Sequence, residues 1–166
     1  MRLQIRPISL RAANDFVDHH DPVYGRVAGC KFSVGGYIGS QLVGVVIVGR
    51  PKARHLDDGW TLELTRVSAK GNAIVAAKLI EAATAAAFAL GTRYVLSYRL
   101  ATEDGEAFRA AGWDRMEMDG VPIDFGGGEW SRPSRQRDPM LSPIDRKHRW
   151  ERYNSGGVSH LMADAV

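Results

Sequence analysis

The feature that most constrains the fold is a strand, a glycine-containing turn, a long alanine-rich helix and a second strand, all within residues 62–100. Residues 62–67 alternate apolar and polar side chains, which is typical of a strand. Gly71 permits a tight turn, and Asn72 can cap the helix that follows. Gly91 ends this helix, and residues 94–98 resume as a strand. The order predicts a βαβ unit, whose helix N-terminus is a potential anion site.

The flanking sequence predicts further elements on both sides of this unit. A short strand at residues 3–5 precedes a helix over residues 10–17, for which Ser9 can supply the cap. Residues 30–38 and 42–48 predict a β-hairpin, and Gly44 in its nearly continuous apolar second strand is interpreted as a bulge. A short helix over residues 104–111 and a last strand over residues 113–118 follow. The pattern predicts an α/β domain.

Composition limits the class of protein. The chain has 166 residues, of which 45% are hydrophobic, so one globular domain with a sizeable core is expected. No apolar run is long enough for a transmembrane helix, no signal peptide is recognisable, and the lone Cys30 has no partner for a disulfide. We therefore expect a cytoplasmic protein without a membrane partner.

Basic residues exceed acidic ones by three, and the whole excess lies in residues 131–166. We therefore divide the chain into a domain at residues 1–130 and a basic C-terminal extension at residues 131–166. Such an extension is either an arm that contacts phosphates or a solvated tail.

Two polar clusters carry candidate chemistry. His19, His20 and Asp21 follow the first predicted helix and suit metal ligation or proton transfer, although histidines at a helix end are also common without function. The loop after the hairpin holds Arg50 together with His55 and Asp57. Loops at such positions often carry function, and a solvated turn is the alternative.

The order of elements, with Ala110-Ala111-Gly112-Trp113 before the last strand, resembles the GNAT acyltransferase fold over residues 1–130. The resemblance implies a mixed, mostly antiparallel twisted sheet with flanking helices. It also implies that the turn before the long helix binds acetyl-CoA through backbone N–H groups. The family turn commonly begins with Gln or Arg, where this chain has Ser68. The implied cofactor-binding residues are Val67, Ser68, Gly71, Asn72 and Ala73.

A narrower resemblance rests on five short motifs. They are Gly49-Arg50-Pro51, Leu56-Asp57-Asp58-Gly59, Leu62-Glu63-Leu64-Thr65-Arg66, Ala110-Ala111-Gly112-Trp113 and Trp130-Ser131-Arg132-Pro133-Ser134-Arg135. In this order they resemble a small family of phage and prophage proteins that is similar to the Mom DNA-modification protein of Mu-like phages. The resemblance implies modification of adenine N6 in DNA, as protection against restriction, inside a bacterial host.

The resemblance to GNAT proteins also assigns chemical roles. Tyr98 is placed like a general acid, Ser97 or Glu63 could relay a proton, and Asp57 is a further catalytic candidate. Because adenine N6 is a poor nucleophile, a metal or an unusual donor would help, so iron held by His19, His20 and His55 is one hypothesis. The donor is then acetyl-CoA or another acyl donor, including aminoacyl-tRNA.

DNA binding would depend on cationic and aromatic side chains. Cations neutralise phosphates, and aromatic rings such as Trp130, Trp150 or Tyr153 can stack on an extruded base. The full set of predicted nucleic-acid contacts is Arg50, Arg66, Trp130, Arg132, Arg135, Arg137, Lys147 and Arg149. Two other functions stay open, an N-acetyltransferase acting on a small amine or protein N-terminus and a non-catalytic nucleic-acid-binding module. A homodimer is common for this fold.

Overall fold

The computed structural model describes residues 2–125 and 146–156. These residues form one large sheet, one small hairpin and three helices. In chain order the elements are β1 (Leu3–Pro7), α1 (Leu10–His20), β2 (Phe32–Ile38), β3 (Gln41–Gly49), β4 (Thr61–Ser68), α2 (Ala73–Ala89), β5 (Tyr94–Leu100), α3 (Glu106–Ala110), β6 (Asp114–Arg115), β7 (Glu117–Met118), β8 (Val121–Pro122), β9 (Asp124–Phe125) and β10 (Lys147–Tyr153).

The large sheet has the order β1-β2-β3-β4-β5-β10-β6, with β9 also paired to β10. Neighbouring strands are antiparallel except β4 and β5, which the α2 crossover makes parallel. The predicted class, an α/β fold with a mostly antiparallel sheet and flanking helices, is confirmed.

The two faces of the sheet are covered differently. Val45 and Ile47 on β3 pack with α1, whereas Val46 and Val48 pack with α2. Residues of one strand alternate between faces and direct cross-strand partners share a face. The register of β4 on β3 pairs Arg66 with Ile47, so the Arg66 side chain lies on the face that carries α1.

Helix α2 approaches the sheet closely at one glycine. A Cβ atom on Gly44 would lie 2.7 Å from the Leu79 side chain, closer than real Cβ contacts allow. The register of β2 on β3 also shifts beside Gly44, which confirms the predicted irregularity there. No helix among the described residues is long and apolar enough to cross a lipid bilayer.

The cap and stop residues of α2 behave as predicted. The Asn72 side chain accepts hydrogen bonds from the N–H groups of Ile74 and Val75, and Gly91 adopts a φ of +92° just after the helix. Helix α1 is longer than the residues 10–17 that were predicted, because it continues through His20.

The C-terminal segment differs most from expectation. Residues 147–153 of the predicted basic extension form β10, which lies between β5 and β6 in the large sheet. Trp150, a candidate for base stacking, is 2% exposed and stacks on Phe108 in the core. Its large apolar ring is buried there, so it cannot stack on a base in this structure.

Candidate active site

The parallel pairing of β4 and β5 is short. Thr61, Leu62 and Glu63 pair with Tyr94, Val95 and Leu96, and beyond this point the two strands separate. A bulge at Thr65, which has no partner on β3, adds to the irregularity of β4 here. The result is a gap between the second halves of β4 and β5, with Glu63 and Leu96 where it begins.

Glu63 is a buried carboxyl group at the start of this gap. Its side chain is 3% exposed and accepts a hydrogen bond from the Lys52 backbone N–H at 2.9 Å. Burial raises the pKa of Glu63, and the Lys52 N–H and nearby cations oppose that effect only in part. A carboxyl group with a raised pKa is suited to accept a proton near neutral pH.

Side chains from β5 reach across the gap to β4. Ser97, predicted as a proton relay, is 1% exposed and donates its hydroxyl proton to the Leu64 carbonyl at 2.8 Å. Arg99 donates to the Val67 carbonyl at 3.3 Å. These two contacts replace the backbone hydrogen bonds that the second half of β5 does not make to β4. In this structure Ser97 therefore connects β5 to β4.

The open end of the gap leads to a cavity of about 330 Å³. We call it the turn cavity, and it is lined by residues 67–73, residues 103–108, His20, Asp21, Ala76 and Arg99. All five predicted cofactor-binding residues, Val67, Ser68, Gly71, Asn72 and Ala73, lie in its wall. Among the described residues, no acceptor lies within hydrogen-bond distance of the Gly71 and Ala73 N–H groups.

One wall of the turn cavity has backbone features that favour an anion. Lys70 and Gly71 adopt φ values of +50° and +72°, which bring the chain round to the N-terminus of α2, where free N–H groups and the helix dipole favour an anion. The opposite wall is acidic, because Glu103, Asp104 and Glu106 line it. Glu103 is neutralised by Arg99 at 2.8 Å.

Tyr24, Arg99 and Glu103 form a cluster beside the turn cavity that was not predicted from the sequence. Tyr24 donates a hydrogen bond to Glu103 and lies under the Arg99 guanidinium, 4.6 Å from carbon to ring centroid. Burial raises the pKa of Tyr24, and it also raises that of Asp21. Tyr24 and Asp21 lie in the α1–β2 loop, far in sequence from Arg99, so no local spacing indicates that they meet.

A second cavity, of about 570 Å³, lies between the α1–β2 loop, the end of β3 and the middle of β4. We call it the basic cavity. It is lined by Arg26, Val27, Ala28, Gly29, Cys30, Lys31, Gly49, Arg50, Lys52, Thr65 and Arg66, a set without any acidic residue. It begins where the turn cavity ends along β4, because Thr65 and Arg66 line one and Val67 and Ser68 the other.

Tyr98 lies on the same face of the sheet as Glu63. Leu96 is the partner of Glu63, and Tyr98 follows two residues later on β5, so all three side chains share the face that carries α1. The Tyr98 ring contacts Phe125, with centroids 5.7 Å apart, and its hydroxyl interacts with Arg149. Tyr98 lines neither of the two cavities.

The histidines predicted to bind iron do not form a metal site. His19 and His20 are adjacent at the end of α1, with ring centroids 4.6 Å apart, whereas His55 lies in a separate 3-10 turn, Arg54–Leu56. Within residues 2–125 and 146–156 no three His, Cys, Asp or Glu side chains are grouped to hold a metal. Asp57, predicted as catalytic, is paired with Arg50 at 2.6 Å.

The predicted nucleic-acid contacts separate into three groups. Arg50 and Arg66 line the basic cavity. Lys147 and Arg149 are on β10, but the Arg149 side chain is only 11% exposed because it packs over the Phe125 ring. Four further residues lie outside the described part of the chain, namely Trp130, Arg132, Arg135 and Arg137.

Solved structures with the same architecture span almost the whole chain. An IAA acetyltransferase from Bacillus cereus superimposes with a TM-score of 0.62 at 13% identity, over 92% of this chain and 100% of that one. A Bacillus subtilis acetyltransferase in complex with CoA gives 0.55 at 13%, over 92% and 99%. A ribosomal-protein-alanine N-acetyltransferase from Brucella melitensis gives 0.60 at 11%, over 91% and 99%.

The chain has the GNAT acetyltransferase fold. No protein-family model matches the sequence, and no curated protein matches it. The resemblance to GNAT proteins is therefore confirmed at the level of the fold, and the narrower resemblance to Mom-like phage proteins receives no support from these findings.

Proposed function

We propose that this protein is an acyltransferase that moves an acyl group from acyl-CoA to an amine. The observation that carries the proposal is Glu63, a buried carboxyl group at the point where β4 and β5 separate, which accepts the backbone N–H of Lys52, a residue that lines the basic cavity. The acetyltransferase fold and a neighbour solved with CoA support the choice of donor.

The donor would be held by the turn and extend along β4. Lys70 and the N–H groups of Gly71 and Ala73 would bind its diphosphate. Ser68 and Glu63 are five residue steps apart, which corresponds to about 16 Å along a strand. Arg99 donates a hydrogen bond to the Val67 carbonyl oxygen in this structure. An amide N–H of the bound acyl-CoA would replace Arg99 as the donor to this oxygen.

The chain's own residues would perform the proton transfers. When bound, the donor supplies an acyl group that is activated as a thioester, and CoA leaves as the free thiol. Glu63 accepts the proton that the attacking amine loses, and the Val67 N–H faces the gap where it can donate to the acyl oxygen. Tyr98, on the face of Glu63, donates a proton to the leaving sulfur and regains one from solvent. The amide bond forms as the thioester bond breaks.

The test is the release of free thiol from acetyl-CoA in the presence of a panel of primary amines. Wild-type protein is expected to release thiol only with an accepted amine, and Glu63→Gln is expected to abolish this release. Absence of any CoA binding by calorimetry would reject the proposal, whichever amines are used.

A second candidate function is the modification of DNA bases, which would make adenine N6 the acceptor amine. The observation that favours it is the set of cations around the basic cavity, including Arg50 and Arg66. Plasmid DNA from bacteria that express the protein would then contain an adenosine derivative of increased mass. If the DNA is unmodified while the protein is folded and binds CoA, this candidate is rejected and the small-amine acceptor is retained.

A further inference from the structure

Arg66 is an unusually buried cation in the wall of the basic cavity. Its side chain lies on the α1 face of β4 and the residue is 8% exposed. Its guanidinium donates to the carbonyl oxygens of Gly25 at 2.7 Å and of Thr65 at 2.6 Å. Neither acceptor is charged. Among the described residues, no carboxylate lies within ion-pair distance of Arg66.

A buried guanidinium without a paired anion is unfavourable, because burial removes its water and the nearby Glu63 and Asp21 carboxylates compensate for this only in part. Burial accordingly lowers the pKa of Arg66. These two hydrogen bonds use two of the five N–H groups that a guanidinium carries. An anion that enters the adjoining cavity would supply the missing countercharge and accept further hydrogen bonds.

Four other cations line the same cavity, and two of them are held in place from outside it. Arg26 is paired with Asp15 and Asp18 at 2.8 and 2.6 Å, and Arg50 is paired with Asp57. None of these carboxylates lines the cavity. Lys31 and Lys52 complete the set. The lining therefore presents five cations and no anion.

We propose that the basic cavity binds a phosphate group carried by a small acceptor molecule, with Arg66 as its central ligand. The inference rests on the proposed function for the role of acceptor. Lys52 connects the basic cavity with Glu63, because it lines the cavity and its backbone N–H donates a hydrogen bond to Glu63. A cavity of about 570 Å³ is of the size that encloses a small molecule, and a doubly charged phosphate matches several converging cations.

Cys30 provides a direct readout of occupancy. It is half-buried, lines the basic cavity and is the only cysteine in the chain. Its alkylation by iodoacetamide, an uncharged reagent, can be followed by intact mass. We expect inorganic phosphate to slow this alkylation in a saturable manner, and chloride at equal ionic strength to have no such effect.

Variants assign the protection to Arg66. Arg66→Gln is expected to weaken the protection by phosphate at least about tenfold, as the loss of a charged hydrogen-bonding partner implies. The matched control Arg6→Gln removes an exposed arginine that lies over Tyr37, and it should leave protection unchanged. If Arg66→Gln does not fold, Lys31→Gln replaces it, with a smaller loss expected.

The acceptor role is tested separately. Phosphoethanolamine and ethanolamine share one amine and differ in the phosphate, so thiol release from acetyl-CoA should be faster with the former at equal concentrations. Protection of Cys30 without faster turnover of phosphoethanolamine would support the phosphate site and reject only its role in holding the acceptor, whereas absence of CoA binding would reject the proposed function. The inference is overturned if neither phosphate nor phosphoethanolamine protects Cys30 from alkylation. It is also overturned if only a single-stranded DNA oligonucleotide protects Cys30.

Discussion

Replacing Glu63 by Gln separates a catalytic role from a structural one. The amide keeps the volume of the carboxyl group and its oxygen can still accept the Lys52 N–H, so packing is conserved. It cannot accept the proton of the amine. Loss of a general base lowers kcat about 10²- to 10⁴-fold, which corresponds to about 2.7 to 5.5 kcal/mol in the activation barrier.

The same substitution has an opposite effect on stability. Because burial raises the pKa of Glu63 in the folded state, its protonated form stabilises the fold at low pH, and that contribution is lost as the pH rises through the folded-state pKa. Above it, the wild type loses about 1.4 kcal/mol for each unit by which the pKa is raised. Gln does not titrate, so the variant should gain stability relative to the wild type from pH 5 to pH 8.

Two measurements check this prediction. Thiol release from acetyl-CoA gives kcat against pH, and urea unfolding gives the free energy of unfolding of both proteins at pH 5 and pH 8. Glu151→Gln is the matched control, since Glu151 flanks Leu96 on the side opposite Glu63 and bonds the Tyr94 hydroxyl. Its kcat should fall less than about tenfold. A Glu63→Gln protein that keeps most of its kcat, or whose relative stability does not change with pH, would refute the reasoning.

Three other substitutions test the fold and the site. Gly105→Ala should lower the free energy of unfolding in urea by more than about 3 kcal/mol, because φ is +69° and the new Cβ would lie 2.6 Å from Cε2 of Trp150. The control Gly59→Ala, with φ +84° and open space around the new Cβ, should lower it by only about 1–2 kcal/mol, and equal losses would contradict the clash. Asn72→Ala should cost about 1 kcal/mol through loss of the α2 cap and weaken CoA binding in calorimetry, whereas unchanged stability would argue against the cap. Tyr98→Phe should lower kcat about 10²-fold without changing the affinity for CoA, and a kcat equal to that of the wild type would remove Tyr98 from the proposed mechanism.

Local patterns in the sequence predicted much of the fold. The cap at Asn72, the stop at Gly91 and the irregularity beside Gly44 each depend on one residue and its immediate neighbours, so they are visible in the sequence. The strand β10 was missed because Lys147–Tyr153 is rich in charge and follows the glycines and prolines of residues 126–145. Its single apolar core residue, Trp150, meets Phe108 only in the folded chain.

The site could be predicted only where its residues are consecutive in the sequence. The turn at residues 67–73 is continuous in sequence, and its residues do line one cavity. The basic cavity instead combines residues 26–31 with the end of β3 and the middle of β4, and Tyr24 meets Glu103 across 79 positions. The histidines illustrate the converse error, because His19 and His20 meet at the end of α1 whereas His55 is carried by a separate 3-10 turn, and among the described residues no three potential ligands are grouped.

The position of β10 between β5 and β6 has a consequence for how the chain is made. β5 pairs with β4 along one edge, and its other edge pairs with β10, which ends only at Tyr153. Once β5 and α3 have left the ribosome but Lys147–Tyr153 has not, β5 has an open edge and the place of Trp150 beside Phe108 is empty. A nascent chain is therefore exposed to edge-to-edge association until late in synthesis, and a protein cut after residue 130 is expected to aggregate rather than fold.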